Sequence, residues 1–460
     1  MTAVKQASPE RWDAPVGAGQ ARSGKRRLGV PFRRLWWAAG ISSSGDGLVL
    51  VAMPLLAVTL TRSPLLIAGV TAANRVSAAL SSLPGGVLAD RVDRRRLMVV
   101  CNVLAGLVLA GLVAAMSFGA LDLAMVYVVS AVLASCDVTY ELGAQAYVPA
   151  LVGGDQLPRA NARLQIVTGS GEQFVGPGVG GALFSLARRV PFAADAVSFF
   201  ASALLVRSSR PKATASALST PASPAVGEPV PSRSSVAGVG QPAASRSSVA
   251  ADFREGWRWF KRERSVQLVA AVVATLAFCQ YMVFGILVVY GTRTLHLSST
   301  GYGLFYAFAS LLGVLAGFGA DQVTRHLGAG RAVLIGFGAV VVSYLGLGFT
   351  RAAVLAVFVF GLQDVGTVIG NVGTITTRQR LIPSQLYGRV VGIHRLTVAG
   401  AAPLGALLGG LITAATGTST TIVMAGGLEL VFLALFGPAL LRSLAARGPA
   451  SAPGAPAPPR

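Results

Sequence analysis

Apolar runs of about 20 residues, each long enough to cross the ~30 Å hydrocarbon core of a bilayer, recur along nearly the whole of this 460-residue chain. A backbone in lipid must satisfy its own hydrogen bonds, so such runs fold as helices, and length counts spans rather than globules. Bounded by charges, glycines and prolines, the runs fall at 35–60, 64–88, 97–117, 122–143, 161–187 and 190–206. A second set follows at 266–290, 301–320, 331–350, 353–376, 390–414 and 420–441. The expected fold is an all-α integral membrane protein of about twelve transmembrane helices in two sets of six. Charged residues make up 12% of the sequence and hydrophobic ones 53%, against roughly 25% charged usage in soluble domains.

The formal charge of +21 raises nucleic acid as a partner, but Lys and Arg lie between the spans and not along one binding face. Their skew follows the positive-inside rule. With the amino terminus inside, only Arg62, Arg188, Arg189, Arg293 and Arg351 fall outside, and Arg75 lies within the second span. An even number of spans then puts both termini and the central linker on the cytoplasmic side of the cell membrane. No nucleic-acid partner is expected.

These runs divide the chain. Residues 1–34 form a basic cytoplasmic arm with no signal-peptide core, and 35–206 the first six-helix bundle. Residues 207–251 form a Ser-, Ala-, Pro- and Gly-rich linker, with SRSSVA at Ser232–Ala237 and again at Ser245–Ala250; this composition buries too little apolar surface to order itself. Over 252–265 an amphipathic interfacial helix is expected, with Phe253, Trp257 and Phe260 on one face at headgroup level. Arg254, Arg258, Lys261 and Arg262 would meet anionic membrane lipid. Residues 266–441 form the second bundle and 442–460 a disordered cytoplasmic tail.

Cys101, Cys136 and Cys279 are odd in number, far apart and inside spans, while His296, His326 and His394 are isolated. Neither a disulfide framework nor a metal site is expected from such spacing. The chain carries no GxxxxGK[ST] phosphate loop, HExxH metal motif or GxGD aspartyl pattern, which argues against ATP-driven transport and intramembrane hydrolysis. No cofactor and no enzymatic activity are expected.

Between spans 2 and 3 stands GVLADRVDRRRL, Gly86–Leu97, a tight turn in which Asp90 can cap a helix or pair with an arginine. Taken alone it also fits a short positive-inside loop. Gly317, Ala320, Asp321 and Arg325 repeat, at one constant offset, the spacing of Gly86, Ala89, Asp90 and Arg94. With two near-equal sets of spans, the repeat points to a duplicated six-span unit, an arrangement common in transporters.

This loop resembles the signature of the major facilitator superfamily, G-x-L-A-D-R-x-G-R-K. Gly86, Leu88, Ala89, Asp90, Arg91, Arg94 and Arg95 match it, and Asp93 stands where the family usually has Gly. GPGVGG, with Gly176, Pro177, Gly180 and Gly181, and QRLIPSQLYGRVVGIHRL…APLGALLGG from Gln379 to Gly410 resemble the drug and siderophore exporter branch, which includes enterobactin exporters. The former is similar to the helix-bending tail of the antiporter motif, although Glu172 stands where the motif's upstream part has Gly. The resemblance covers roughly 35–441 and implies two pseudo-symmetric six-helix bundles rocking about a central cavity. It also implies a cytoplasmic latch of Asp90, Arg91, Arg94 and Arg95, echoed at Asp321 and Arg325, with Glu141 placed to pair with the loop arginines.

Asp46, Arg75, Asp137, Glu141, Glu172, Asp195, Asp364 and Glu429 fall inside spans, where a central charge facing lipid costs about 2.5–3.5 kcal/mol on insertion scales. They must face a cavity, pair or take up a proton. By the resemblance, spans 1, 4, 7 and 10 line the path, which makes Asp46, Asp137, Gln280 and Asp364 candidates to meet substrate or protons. Each also fits a structural anchor between helices, with Arg75 a possible partner of Asp46; Asp195 and Glu429 read as structural. Span 4 lacks the Arg that many proton-driven relatives carry there.

The function expected is secondary active transport of a small molecule by alternating access: proton-coupled efflux of a drug or metabolite by a monomer. A solute importer of the same fold is the alternative. A non-transporting intramembrane enzyme or sensor is a remote one.

Overall fold

The computed structural model describes residues 28–209, 249–383 and 386–445, which form helices joined by short turns. The first half comprises α1 (Val30–Leu60), α2 (Pro64–Arg91), α3 (Arg94–Ser117), α4 (Leu123–Leu151), α5 (Leu157–Ser170), α6 (Gly176–Leu186) and α7 (Val190–Ser208). A separate helix, α8 (Val249–Arg262), leads into the second half. There follow α9 (Arg264–Phe284), a single turn α10 (Leu287–Val289), α11 (Ser299–Leu327), α12 (Ala329–Phe349), α13 (Ala353–Leu381), α14 (Tyr387–Thr416) and α15 (Thr418–Ala445).

Eleven stretches among the described residues are long and apolar enough to cross a membrane. The remaining expected span, 161–187, is not one uniform α-helix: a π-helical turn at Gly171–Val175 separates α5 from α6. Ser170, Gly171, Val175 and Gly176 all keep right-handed helical dihedrals, so the helical path runs on from Leu157 to Leu186. A second π turn, Tyr290–Thr294, ends the path that begins with α9.

Local chemistry fixes the boundaries. Prolines sit in the first turn of α1, α2, α5, α6 and α7, where an absent N–H leaves no bond unmade. Asp122 accepts from the Met125 amide at 2.8 Å and Ser298 from Gly301 at 3.1 Å, capping α4 and α11. The expected loop Gly86–Leu97 is largely helix: α2 continues through Arg91, and only Val92 and Asp93 precede α3. Asp93 caps α3, accepting from the Arg96 amide at 2.8 Å, which gives the departure from the family's Gly a local reason.

Glycines let the helices approach. A Cβ on Gly176 of α6 would lie 2.4 Å from the Gly47 Cα of α1. In the second half, Cβ atoms on Gly405 and Gly409 of α14 would meet the Phe278 and Met282 carbonyls of α9 at 2.1 and 2.2 Å. The same helix pair is thus packed backbone to backbone in both halves, as small residues permit within membranes. Outward, large side chains such as Phe349 (77% exposed) and Leu435 (67%) cover the surface, an apolar skin suited to lipid.

The halves meet at the end carrying the α1–α2 link. A Cβ on Gly181 of α6 would lie 2.4 Å from the Ser299 carbonyl of α11, and one on Gly410 of α14 would lie 2.8 Å from the Leu65 Cα of α2. Arg293 there donates to the Arg62 carbonyl at 2.9 Å, and the Ser185 and Thr300 hydroxyls stand 2.9 Å apart. At the opposite end Gly86, Gly317 and Gly392 have no atom within 4 Å of a would-be Cβ, and Leu83 and Phe318 are exposed. The molecule is closed at one end and splayed at the other.

Helix α8 docks on the start of α14 through an ion pair between Glu255 and Arg389. Trp259 and Phe260 pack with Val266, Ile382 and Val390, while the exposed Trp257 stacks on Phe260 at 5.8 Å. Trp257 and Phe260 thus lie side by side, with Phe260 partly buried against α9 and α14. The Phe253 side chain lies outside the described residues, as do the arm to residue 27, the linker over 210–248 and the tail from 446.

Candidate functional site

A cavity of about 680 Å³ lies between the halves. Asp46 of α1, Arg75 of α2, Asp137 of α4, Gln280 of α9 and Asp364 of α13 all line it. The packing explains two of these positions. Gly47 presses α1 onto the π turn and α6, with Asp46 on the cavity side. Gly313 of α11 leaves room for α13: its Cβ would stand 2.8 Å from the Asp364 Cβ.

Arg75, a possible partner of Asp46 by sequence, makes no ion pair with it among the described residues. Its guanidinium lies over the Tyr281 ring, 5.2 Å from the centroid, and so links α2 of the first half to α9 of the second through a cation–π contact. Its Nε is buried and without a hydrogen-bond partner.

Two further acids of those inside spans, Glu172 and the Asp195 read as structural, join this wall. Glu172 sits in the π turn and lines the cavity; such turns recur at functional sites because the extra residue re-aims the side chains around it. Asp195 of α7 lines it too, at 1% exposure. One Asp195 oxygen accepts from the Ser198 hydroxyl at 2.8 Å and the other has no partner. It packs so tightly on α1 that a Cβ on Gly45 would lie 1.9 Å from its Oδ1. Glu429, equally buried, is not part of the cavity wall. Facing the acids are Tyr281, Phe284, Tyr302 and Tyr306, an aromatic wall that the apolar pattern did not separate from ordinary core.

The latch residues are not gathered in the same way. The Asp90 side chain lies outside the described residues, and Arg91 ends α2. Arg94 donates to the Ala146 carbonyl at 2.8 Å, and Arg95 is half-buried. Asp321 and Arg325 pair with each other along α11 at 2.9 Å. Glu141 accepts from Gln145 at 3.0 Å, and among the described residues no ion pair joins it to an arginine. Of the helix-bending group, Pro177 starts α6 without a break, Gly176 and Gly180 face α1, and Gly181 faces α11; the irregularity lies upstream, in the π turn.

The family model of the Major Facilitator Superfamily matches residues 35–402. The multidrug efflux pump Tap of Mycolicibacterium fortuitum is 26% identical over 427 residues, covering 90% of this chain and 95% of that protein. Among solved structures, the nucleoside transporter NupG superposes with a TM-score of 0.69 at 12% identity, over 90% of this chain and 99% of its own. A bacterial homologue of the lysosomal transporter Spinster, inward-facing and unoccupied, gives 0.66 at 14% identity, over 90% and 97%. Both likenesses are of fold. With its two-half architecture and intramembrane acids around one cavity, this chain belongs to the Major Facilitator Superfamily and is a transporter, not an enzyme.

Proposed function

We propose that the protein is a proton-coupled exporter of drug-like or metabolite cargo, working by alternating access in the cytoplasmic membrane. One observation carries the reading: carboxylates from both halves share a cavity that is closed at one end and splayed at the other. Protons and a cationic or hydrogen-bonding cargo would compete for those carboxylates, and competition for one site is the simplest basis for exchange. The rings of Tyr281, Tyr302 and Tyr306 beside the acids suit a cargo with an aromatic face or a positive charge.

The orientation follows from charge. Arg91, Arg94, Arg95, Arg325 and Arg389 cluster at the splayed end, which the positive-inside rule assigns to the cytoplasm. Both termini and the linker then lie inside, and the conformation is inward-facing. The 26% identity to a multidrug efflux pump supports export over import.

The test uses inverted vesicles with ethidium, an aromatic cation, as the probe, and an imposed pH gradient. Gradient-dependent accumulation by the wild-type protein, abolished in Asp46→Asn, is expected. Accumulation that ignores the gradient, or an Asp46→Asn variant as active as wild type, would refute proton coupling.

A further inference from the structure

A second cavity, about 700 Å³, lies wholly inside the first half, among α1 to α5 and α7. On α4, Asp137, Glu141 and Gln145 stand at i, i+4 and i+8, one helical face. Opposite, Asn161, Gln165 and Thr168 of α5, followed by Glu172 in the π turn, stand at i, i+4, i+7 and i+11. Both stripes line this cleft. Glu141, Gln145, Asn161 and Gln165, nearer the splayed end, are exposed. At the inner end, Asp46, Asn74, Arg75, Asp137 and Glu172 also line the cavity between the halves. The two cavities therefore share one acidic wall, reached from two directions.

Their chemistry differs. The cavity between the halves presents four aromatic residues, Tyr281, Phe284, Tyr302 and Tyr306; the cleft has Tyr140 and Phe199 at its back and, along α5 and α1, the amides of Asn161 and Gln165 and the hydroxyls of Thr168, Ser42 and Ser43. At ~30 Å³ per molecule it has room for on the order of twenty waters, and its polar lining can hold them. We propose that this cleft is the proton exit: a water-filled branch through which Asp137 and Glu172 release protons to the splayed end while cargo enters the cavity between the halves. A carboxyl group of Asp137 or Glu172 passes one proton to the nearest water, each water relays one onward, and the last releases it at the mouth as hydronium. No electrons move. The ionisable groups around the two cavities, besides Asp137 and Glu172, are Asp46 on α1, Arg75 on α2, Cys101 on α3, Cys136, Tyr140 and Glu141 on α4, Asp195 on α7, Tyr281 on α9, Tyr302 and Tyr306 on α11, and Asp364 on α13.

The inference rests on the proton-exchange reading, and one experiment separates them. Full-length protein is reconstituted into vesicles with a trapped pH dye, and proton movement is followed on adding ethidium; ethidium binding is measured on purified protein. The cleft is made apolar by Gln165→Leu with Thr168→Val. It is also blocked after folding by a bulky methanethiosulfonate on Gln165→Cys, so that a folding defect cannot produce the result. Coupled proton movement should fall at least tenfold in both while ethidium binding stays within about twofold, and Gln165→Asn should restore coupling. Wild-type coupling in the blocked protein overturns the proton exit alone, and so does loss of ethidium binding together with coupling, because the cleft then holds cargo. Wild-type protein that moves no protons with ethidium overturns the exchange reading and the exit with it.

Discussion

Gly181→Ala tests how the closed end is held. Its Cβ would lie 2.4 Å from the Ser299 carbonyl and 2.9 Å from the Gly303 Cα, both backbone atoms. Side-chain Cβ atoms essentially never approach within 3.0 Å, so α6 and α11 must separate by at least the difference, roughly 0.6 Å. No side chain can rotate out of the way. Overpacking of this kind costs about 1–3 kcal/mol, and since this contact joins the two halves, the strain falls on the closed end. The equilibrium should shift about 5- to 150-fold toward states open at that end. Spin labels on cysteines replacing Leu186 and His296, both exposed there, should show a new, longer-distance population. Gly178→Ala is the control, because its Cβ would make only ordinary contacts, with the Ala307 Cβ at 3.6 Å and the Leu304 Cδ2 at 3.9 Å. Gly303→Ala should reproduce the shift, its Cβ lying 2.4 Å from the Pro177 carbonyl, and the double variant should be less than additive because the sites touch. A Gly181→Ala distance distribution matching that of Gly178→Ala would refute the reasoning.

Other consequences are smaller or more local. Asp93→Ala should lower thermal stability in detergent by about 1 kcal/mol through loss of the α3 cap, whereas Asp93→Gly, the family's residue, should cost only a few tenths; equal losses would remove the cap from the explanation. Arg75→Ala should weaken the contact between the halves by roughly 0.5–2 kcal/mol, and Tyr281→Leu should remove the same increment in a double-mutant cycle. Glu255→Ala breaks an exposed ion pair and should change stability by less than about 1 kcal/mol. Gly256→Leu, whose Cβ starts 2.9 Å from the Arg389 Cβ, should lift α8 from α14 and speed tryptic cleavage at Arg254 and Arg258; unchanged cleavage would mean that α8 is held elsewhere.

The spans and the cavity acids were legible in the sequence for one reason: hydrocarbon tolerates neither unpaired backbone nor exposed charge. Asp46, Asp137 and Asp364 stood out because a carboxylate there needs a cavity, a partner or a proton, and the structure places all three around one cavity. The latch signature carried no such constraint. Arginines at a helix end are equally content with water, a carbonyl or an acid, and Arg94 takes the Ala146 carbonyl. The aromatic wall was hidden because Tyr281, Tyr302 and Tyr306 satisfy the apolar pattern on whichever side of a helix they stand.

The break at Gly171–Val175 was hidden differently. Composition sets how apolar a span is, whereas a π turn depends on what the span packs against, here Ser43 and Ser44 of α1, which a Cβ on Gly171 would strike at 2.6 and 2.9 Å. Yet its surroundings left a trace. The helical path Leu157–Leu186 is the one expected span missing from those long and apolar enough to cross a membrane, and Asn161, Gln165, Thr168 and Glu172 are residues that lower its hydropathy. All four lie on one face and all four line the cleft inside the first half. Polarity scattered around a span would weaken insertion and gain nothing; polarity confined to one face builds a surface for water. A weak span in a family of strong ones is therefore a reason to look for a hydrated path along it, and the spacing of its polar residues shows which side that path takes.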